Sequence, residues 1–120
     1  MKYLNLGTLL ISFVLVLGCE STDSQPDNLI SEQEMAKILV DIHVIEARVN
    51  KMALSNLDTS TLVNERLKLS LFKQYKTDSM TFNRSYQFYS THPDYFERIY
   101  EDVIKQLSVR EKKKDYRHLK

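Results

Sequence analysis

One row of apolar residues constrains this chain more than any other feature. Met35, Ile38, Leu39, Ile42, Ile45, Val49 and Met52 recur at steps of three and four. That spacing lines up side chains on one face of an α-helix, as a stripe about 100° wide; a strand, with its period of two, would turn half of them to water. The start is marked as clearly. Ser31-Glu32-Gln33-Glu34 fits a capping box, in which the serine accepts from the amide three residues on and Glu34 reaches back, with Ile30 and Met35 at the staple positions. Asn56 and Asp58 break the pattern.

Three more helices follow on the same grounds. Over residues 61–76, Val63, Leu67, Leu71 and Tyr75 form an i, i+4 row with Phe72 beside it, while Leu62 and Leu69 lie on the far side as a second, weaker contact surface. Thr77 or Asp78 caps a third helix, in which Phe82, Ser85, Tyr86 and Tyr89 share a face. Thr91-His92-Pro93 is a restart, because proline is tolerated at the first helical position where its missing N–H is no loss. Phe96, Ile99, Tyr100, Val103 and Leu107 then point inward from a fourth helix. Two glycines and two prolines leave hairpins little turn chemistry. Short connections make successive helices antiparallel or sharply angled neighbours. The expectation is an all-α domain over residues 29–109, a compact bundle of about four helices with the third short. A domain of this size buries about 60–70% of its unfolded surface, so its stability should be modest.

Ahead of this domain lies Lys2 and then an apolar run over residues 4–17, softened by Asn5, Gly7, Thr8 and Ser12. A membrane-spanning helix needs about 20 apolar residues; a positive charge, a short apolar core and a small residue are instead the marks of a secretory signal. Cys19 is the only cysteine, so it has no internal disulfide partner. Leu15-Val16-Leu17-Gly18-Cys19 resembles the lipid-modification site of a bacterial lipoprotein signal. The resemblance implies removal of residues 1–18 and three acyl chains on Cys19, each buried methylene contributing about 0.8 kcal/mol to membrane anchoring. Residues 19–28 would then be the lipidated cysteine and a flexible tether, rich in Ser, Thr, Asp, Gln and Pro, with no large apolar residue and a reach of roughly 30 Å. The tether holds no dense acidic cluster, and we expect an outer-membrane anchor facing the periplasm.

Without residues 1–18 the chain keeps 16 acidic residues and, lacking Lys2, 16 basic ones. A balance near zero argues against a general nucleic-acid binder. The charges are unevenly spread, however. The C-terminal tail, residues 110–120, holds six basic and two acidic side chains. It can extend the fourth helix, where cations suit the negative end of the dipole, and it can lie in solvent or dock to anionic head groups or an acidic partner.

Asp41-Ile42-His43-Val44-Ile45-Glu46-Ala47 resembles the Asp-x-His-x-x-Glu-Ala signature of a small lipoprotein family of Bacteroidota-type envelopes, domain-of-unknown-function family 4296. Phe82-x-x-Ser85-x-x-x-Tyr89, His92-Pro93 and Ile99-Tyr100-x-x-Val103 are similar to its later part, and the likeness spans roughly residues 28–108. It implies an envelope location and a helical architecture, and no activity.

Within that signature, Glu46 falls inside the apolar stripe, where burying a lone carboxylate costs several kcal/mol unless it is paired, protonated or facing a groove. Arg84 or a tyrosine hydroxyl is the expected partner inside the bundle, and a ligand or partner contact is the functional alternative. Asp41 and His43 flank the stripe. His43-x-x-Glu46 is a single ligand pair in reversed order, short of the two Glu-x-x-His sets and further carboxylates of a di-iron bundle. No metal and no cofactor are expected. Ser85 has no evident histidine partner, its role being tight helix packing, and no catalytic residue is assigned. Tyr75, Tyr86, Tyr89 and Tyr100 fit interior positions with hydroxyls at the rim, while Tyr95 lies off its helix's main stripe and can join an exposed aromatic patch. The sequence therefore predicts a membrane-anchored, non-catalytic interaction module or accessory subunit with an envelope protein partner. The alternative is a small-ligand or lipid-binding helical lipoprotein holding its ligand beside Glu46. The oligomeric state is left open.

Overall fold

A computed structural model describes residues 24–52 and 56–118, with side chains to residue 114. Cys19 and the expected signal lie outside the described residues. Four helices follow in order, α1 (Glu32–Lys51), α2 (Leu57–Gln74), α3 (Ser79–Ser90) and α4 (Pro93–His118). The described residues include no strand, so the fold is the all-α bundle of four helices that the periodicities predict.

Three of the four helices begin where a side chain accepts an otherwise orphaned backbone amide. Ser31 caps α1 by accepting from Glu34 N at 3.3 Å. Asn56 caps α2, accepting from Thr59 N at 2.7 Å, and Asp78 caps α3, accepting from Thr81 N at 2.8 Å. The backbone amide of Thr81 and its hydroxyl together hold the Asp78 carboxyl below its ordinary range. Pro93 opens α4 at its first helical position. The second helix therefore starts earlier than residue 61. Asn56 is its cap rather than a mere break between helices.

The end of α2 is built without glycine, since both glycines precede residue 19. Thr77 N donates to Phe72 O at 3.0 Å and Lys76 N to Lys73 O at 3.1 Å, the paired bonds of a Schellman motif. The motif needs a left-handed residue after the cap, and Lys76 supplies it at φ 52°. A side chain there costs about 1–2 kcal/mol that glycine would not. The helix stops at Gln74, two residues short of the expected end.

The core is organised around α1, which packs against both α4 and α2, while α3 packs on α4. Met35, Ile38, Leu39, Ile42 and Val49 are buried as the stripe predicts, and Ile45 is partly buried against them. Ala36 and Val40 are also fully buried, so two neighbours seal α1 around a wider arc than one stripe requires. Met52, at the helix end, is 56% exposed and drops out of the row. From α2 only Leu71 and Phe72 are buried; Leu67 is exposed, and Leu62 and Leu69 stand outward on the far side. Ile99 and Val103 complete the core from α4, with Phe96, Tyr100 and Leu107 at its margin.

Ion pairs give the helix directions. Glu46 meets Lys68 and Asp41 meets Tyr75, so α1 and α2 are antiparallel. Glu32 takes a bidentate contact from Arg98 at 3.0 and 3.2 Å, and Asp41 accepts from Arg110 at 2.6 Å. Both pairings advance together, so α1 and α4 run in the same direction and bring their C-terminal ends to one end of the bundle.

Residues 26–28, expected in the tether, are instead part of a turn closed by Leu29 N donating to Pro26 O at 3.2 Å. The chain then enters α1 through Ile30, whose backbone is held by α3. Ile30 N donates to Ser85 Oγ at 3.0 Å, and the Tyr89 hydroxyl donates to Ile30 O at 2.6 Å. Ser85 is fully buried and Tyr89 nearly so. Ser85 therefore does more than allow close packing, and the Tyr89 hydroxyl lies inside rather than at the rim. Ser85→Ala and Tyr89→Phe each strand one buried backbone group, and each should destabilise by about 1–3 kcal/mol in urea titrations. Losses below about 0.5 kcal/mol for both would show that this clamp does not hold the entry segment.

Candidate functional site

The signature residues of α1 separate into two places. Asp41 turns to the end of α2 and to α4, where it accepts from the Tyr75 hydroxyl at 2.8 Å and from Arg110 Nη1 at 2.6 Å. One carboxylate thereby braces three helices. Burial pushes the Tyr75 phenol up to about 12, and the hydrogen bond and charge of Asp41 push the same way.

His43 and Glu46, by contrast, face a cleft between α1, α2 and α3. Its volume is about 400 Å³, and Leu39, Ile42, Phe72 and Phe82 form its apolar floor. The Glu46 carboxylate lies 3.0 Å from Lys68 Nζ and 3.6 Å from His43 Nδ1. Its side chain is 37% exposed, so it sits on the rim of the cleft rather than inside the stripe. Its cation is Lys68, not Arg84. The difference follows from position along the bundle: Lys68 lies one turn before the buried Leu71 and Phe72 of α2, at the open edge of that contact, and reaches Glu46 there. An ion pair this exposed contributes about 0–1 kcal/mol.

Aromatic rings build the opposite wall. Phe72 and Phe82 lie 4.9 Å apart, Phe82 and Tyr86 6.1 Å, and Tyr86 meets Phe96 edge-on at 6.0 Å. Tyr100 packs 4.6 Å from Phe96 and presents its ring at 6.5 Å to His43. Burial raises the Tyr100 phenol to about 12, helped by a hydrogen bond with Tyr86 and by the Glu46 charge. The cleft therefore offers an apolar base, carboxylates, an ammonium and the phenols of Tyr86 and Tyr100. Such a lining can hold a ligand or a partner side chain. Ser85 is not in it, because its hydroxyl is committed to the backbone of Ile30. Among the described residues no group of three or more His, Cys, Asp or Glu side chains is placed to hold a metal ion, and no helix is long and apolar enough to cross a membrane.

A second cleft, missed by the sequence reading, lies on the other side of α1. Val44 and Ala47 of α1 and Leu107 of α4 line its base, and cationic side chains from both helices rim it. No single-helix periodicity reveals it, since α1 and α4 are far apart in the chain. Tyr95 is exposed as expected and packs at 6.0–6.1 Å from Phe88, Tyr89 and His92, with the Arg98 guanidinium 4.8 Å over its ring. Tyr89 is buried, however, and Phe88 and His92 are half-buried, so Tyr95 caps an aromatic cluster more than it joins an exposed patch.

The family model described as a domain of unknown function, DUF4296, matches residues 26–113. No curated protein and no solved structure matches the chain.

Tyr75, Tyr100 and the buried Tyr89 all have raised phenols, which gives a pH dependence of known sign. A folded value above the unfolded value of 10.0 means that the protonated form is favoured by folding. That stability is fully present below pH 10 and is lost as pH rises toward about 12. Phenolate absorbance should show three late-titrating tyrosines in the folded protein, Tyr75, Tyr89 and Tyr100, and Asp41→Asn should bring Tyr75 alone back toward 10. Late titration of all three, unmoved by Asp41→Asn, would contradict the Asp41–Tyr75 link.

Proposed function

The chain belongs to the family described as domain of unknown function DUF4296, and we propose that it is a lipid-anchored, non-catalytic interaction module, an accessory subunit of an envelope complex. The observation that carries this reading is the pair of open clefts flanking α1, each apolar at its base and charged at its rim. An apolar centre within a polar rim is the make-up of a protein-docking surface. Large apolar side chains standing in water, among them Leu57, Leu62 and Leu69, add exposed surface of the same kind. The signal-like segment ending in Cys19 supports a membrane anchor at that residue, and the lack of a dense acidic run behind it supports the periplasmic face of the outer membrane.

A second reading rests on the α1–α2–α3 cleft alone. Its volume of about 400 Å³ falls within the range of small-molecule sites, and Glu46, Lys68 and Tyr100 converge on it, so a small polar-headed apolar ligand is the alternative occupant. Its openness to solvent and the filled core beside it favour the docking reading over a lipid-filled cavity.

Crosslinking in intact cells, followed by purification through a tag after Lys120 and mass spectrometry, distinguishes the two. The docking reading expects one envelope protein in constant ratio to this chain, lost when Cys19→Ser removes the anchor. Glu46→Ala should cost less than about 1 kcal/mol of stability, so a change in capture by that variant reports on the cleft and not on folding. Recovery of the chain alone, carrying a bound small molecule or lipid that Glu46→Ala removes, would replace the first reading with the second.

A further inference from the structure

The row of small apolar residues that seals α1 does not stop where the core stops. Ala36 and Val40 are fully buried, and Val44 and Ala47 continue the same i, i+4 and i+3 line toward the C-terminal end. Beyond Asp41 and Arg110 the two parallel helices no longer close over that line. Val44 is half-buried, Ala47 is exposed, and with Leu107 they form the floor of a groove of about 700 Å³.

The rim of this groove has one sign. Arg48 and Lys51 stand on the α1 side, and Arg110, Lys113 and Lys114 on the α4 side, against the single acid Glu111. Arg110 is engaged by Asp41. Cations at helix C-termini complement the dipole, which accounts for some of this charge where each helix ends. It does not account for an uncovered apolar floor between the two banks. Gathering like charges across a trough also disfavours the empty state, and an acidic occupant relieves that repulsion.

We propose that this groove is a docking site for an acidic amphipathic helix of a partner protein, seated on Val44, Ala47 and Leu107 with its carboxylates paired to Arg48, Lys51 and Lys114. The proposal rests on the interaction-module reading above and names the chemistry of the partner. Helix geometry favours this occupant. The α1 bank from Val44 to Lys51 is about 10 Å long at 1.5 Å per residue, two turns, which suits apolar anchors at i, i+3 or i+4 and i+7 with acidic residues on both flanks. A bilayer surface would meet the cations on the banks but offers no rod-shaped element to lie along a trough between two parallel helices.

The direct probe is a fluorescein-labelled helical peptide with leucines at i, i+3, i+4 and i+7 and glutamates on the flanks, titrated against the folded domain by anisotropy. Saturable binding is expected, absent for the same peptide with lysines replacing glutamates. Raising salt from about 50 to 300 mM should weaken it by about tenfold. Ala47→Glu places a charge on the floor at an exposed helix position, and Arg48→Glu with Lys114→Glu inverts one charge on each bank. Both variants should keep the helical circular dichroism and lose at least about tenfold in affinity. No binding of the acidic peptide, or binding that survives Ala47→Glu, overturns the proposal. So does binding to phosphatidylglycerol–phosphatidylcholine vesicles that depends on Ala47 while the peptide is ignored, which would make the groove a membrane contact. The two levels of inference separate in cells: a crosslinked envelope partner that Ala47→Glu still captures removes the groove and leaves the module, and its loss in that variant supports the groove.

Discussion

The two hydrogen bonds that Ile30 makes to α3 are the constraint on which the bundle depends. Ile30 immediately precedes the cap of α1, and its N–H and C=O are buried where water cannot satisfy them. Ser85 and Tyr89, one turn apart on α3, supply both partners at 3.0 and 2.6 Å. The contact ties the entry of the first helix to the third across 55 and 59 residues of sequence. It fixes where α1 starts and how α3, only 12 residues long, sits against it. A helix that short has little stability of its own, so the hydrogen bonds and its aromatic contacts must hold it in place.

From that anchored start α1 runs through the domain as its central element. On one flank it meets the antiparallel α2, whose buried Leu71 and Phe72 lie beside the cleft rimmed by His43, Glu46 and Lys68. On the other it meets the parallel α4, tied by Arg98 at one end and Arg110 midway. Parallel packing puts two helix C-termini, and the cations that favour them, at the same end of the molecule. The basic character of the last part of the chain thus has a structural setting: it faces the end of α1 across an apolar trough.

Much of the fold was legible because its signals are local. The serine cap at Ser31, the cap at Asp78 and the restart at Pro93 each operate within one turn of helix, and the structure uses all three. Legibility failed where the deciding partner is distant. Ala36 and Val40 are too small and too ordinary to announce a second buried flank, and only the neighbouring α4 gives them that role. Glu46 falls on the stripe of an idealised wheel, yet its carboxylate stands 37% exposed at the cleft rim, paired with Lys68. Ser85 and Tyr89 lay on the expected face, but their hydroxyls are committed to a backbone that no periodicity identifies. Lys76 in a left-handed conformation gave no signal, because the usual sign of such an ending is a glycine and the described chain has none.

The proposed docking surface along α1 and α4 is tested by placing a photo-crosslinking benzoylphenylalanine at position 47 in intact cells, with positions 80 and 104, both on exposed helical surface away from the groove floor, as controls. A discrete adduct with one envelope protein is expected from position 47, mapped to an acidic helical segment, and none of that adduct from the two controls. An adduct with lipid alone, or the same protein captured equally from all three positions, would contradict that proposal.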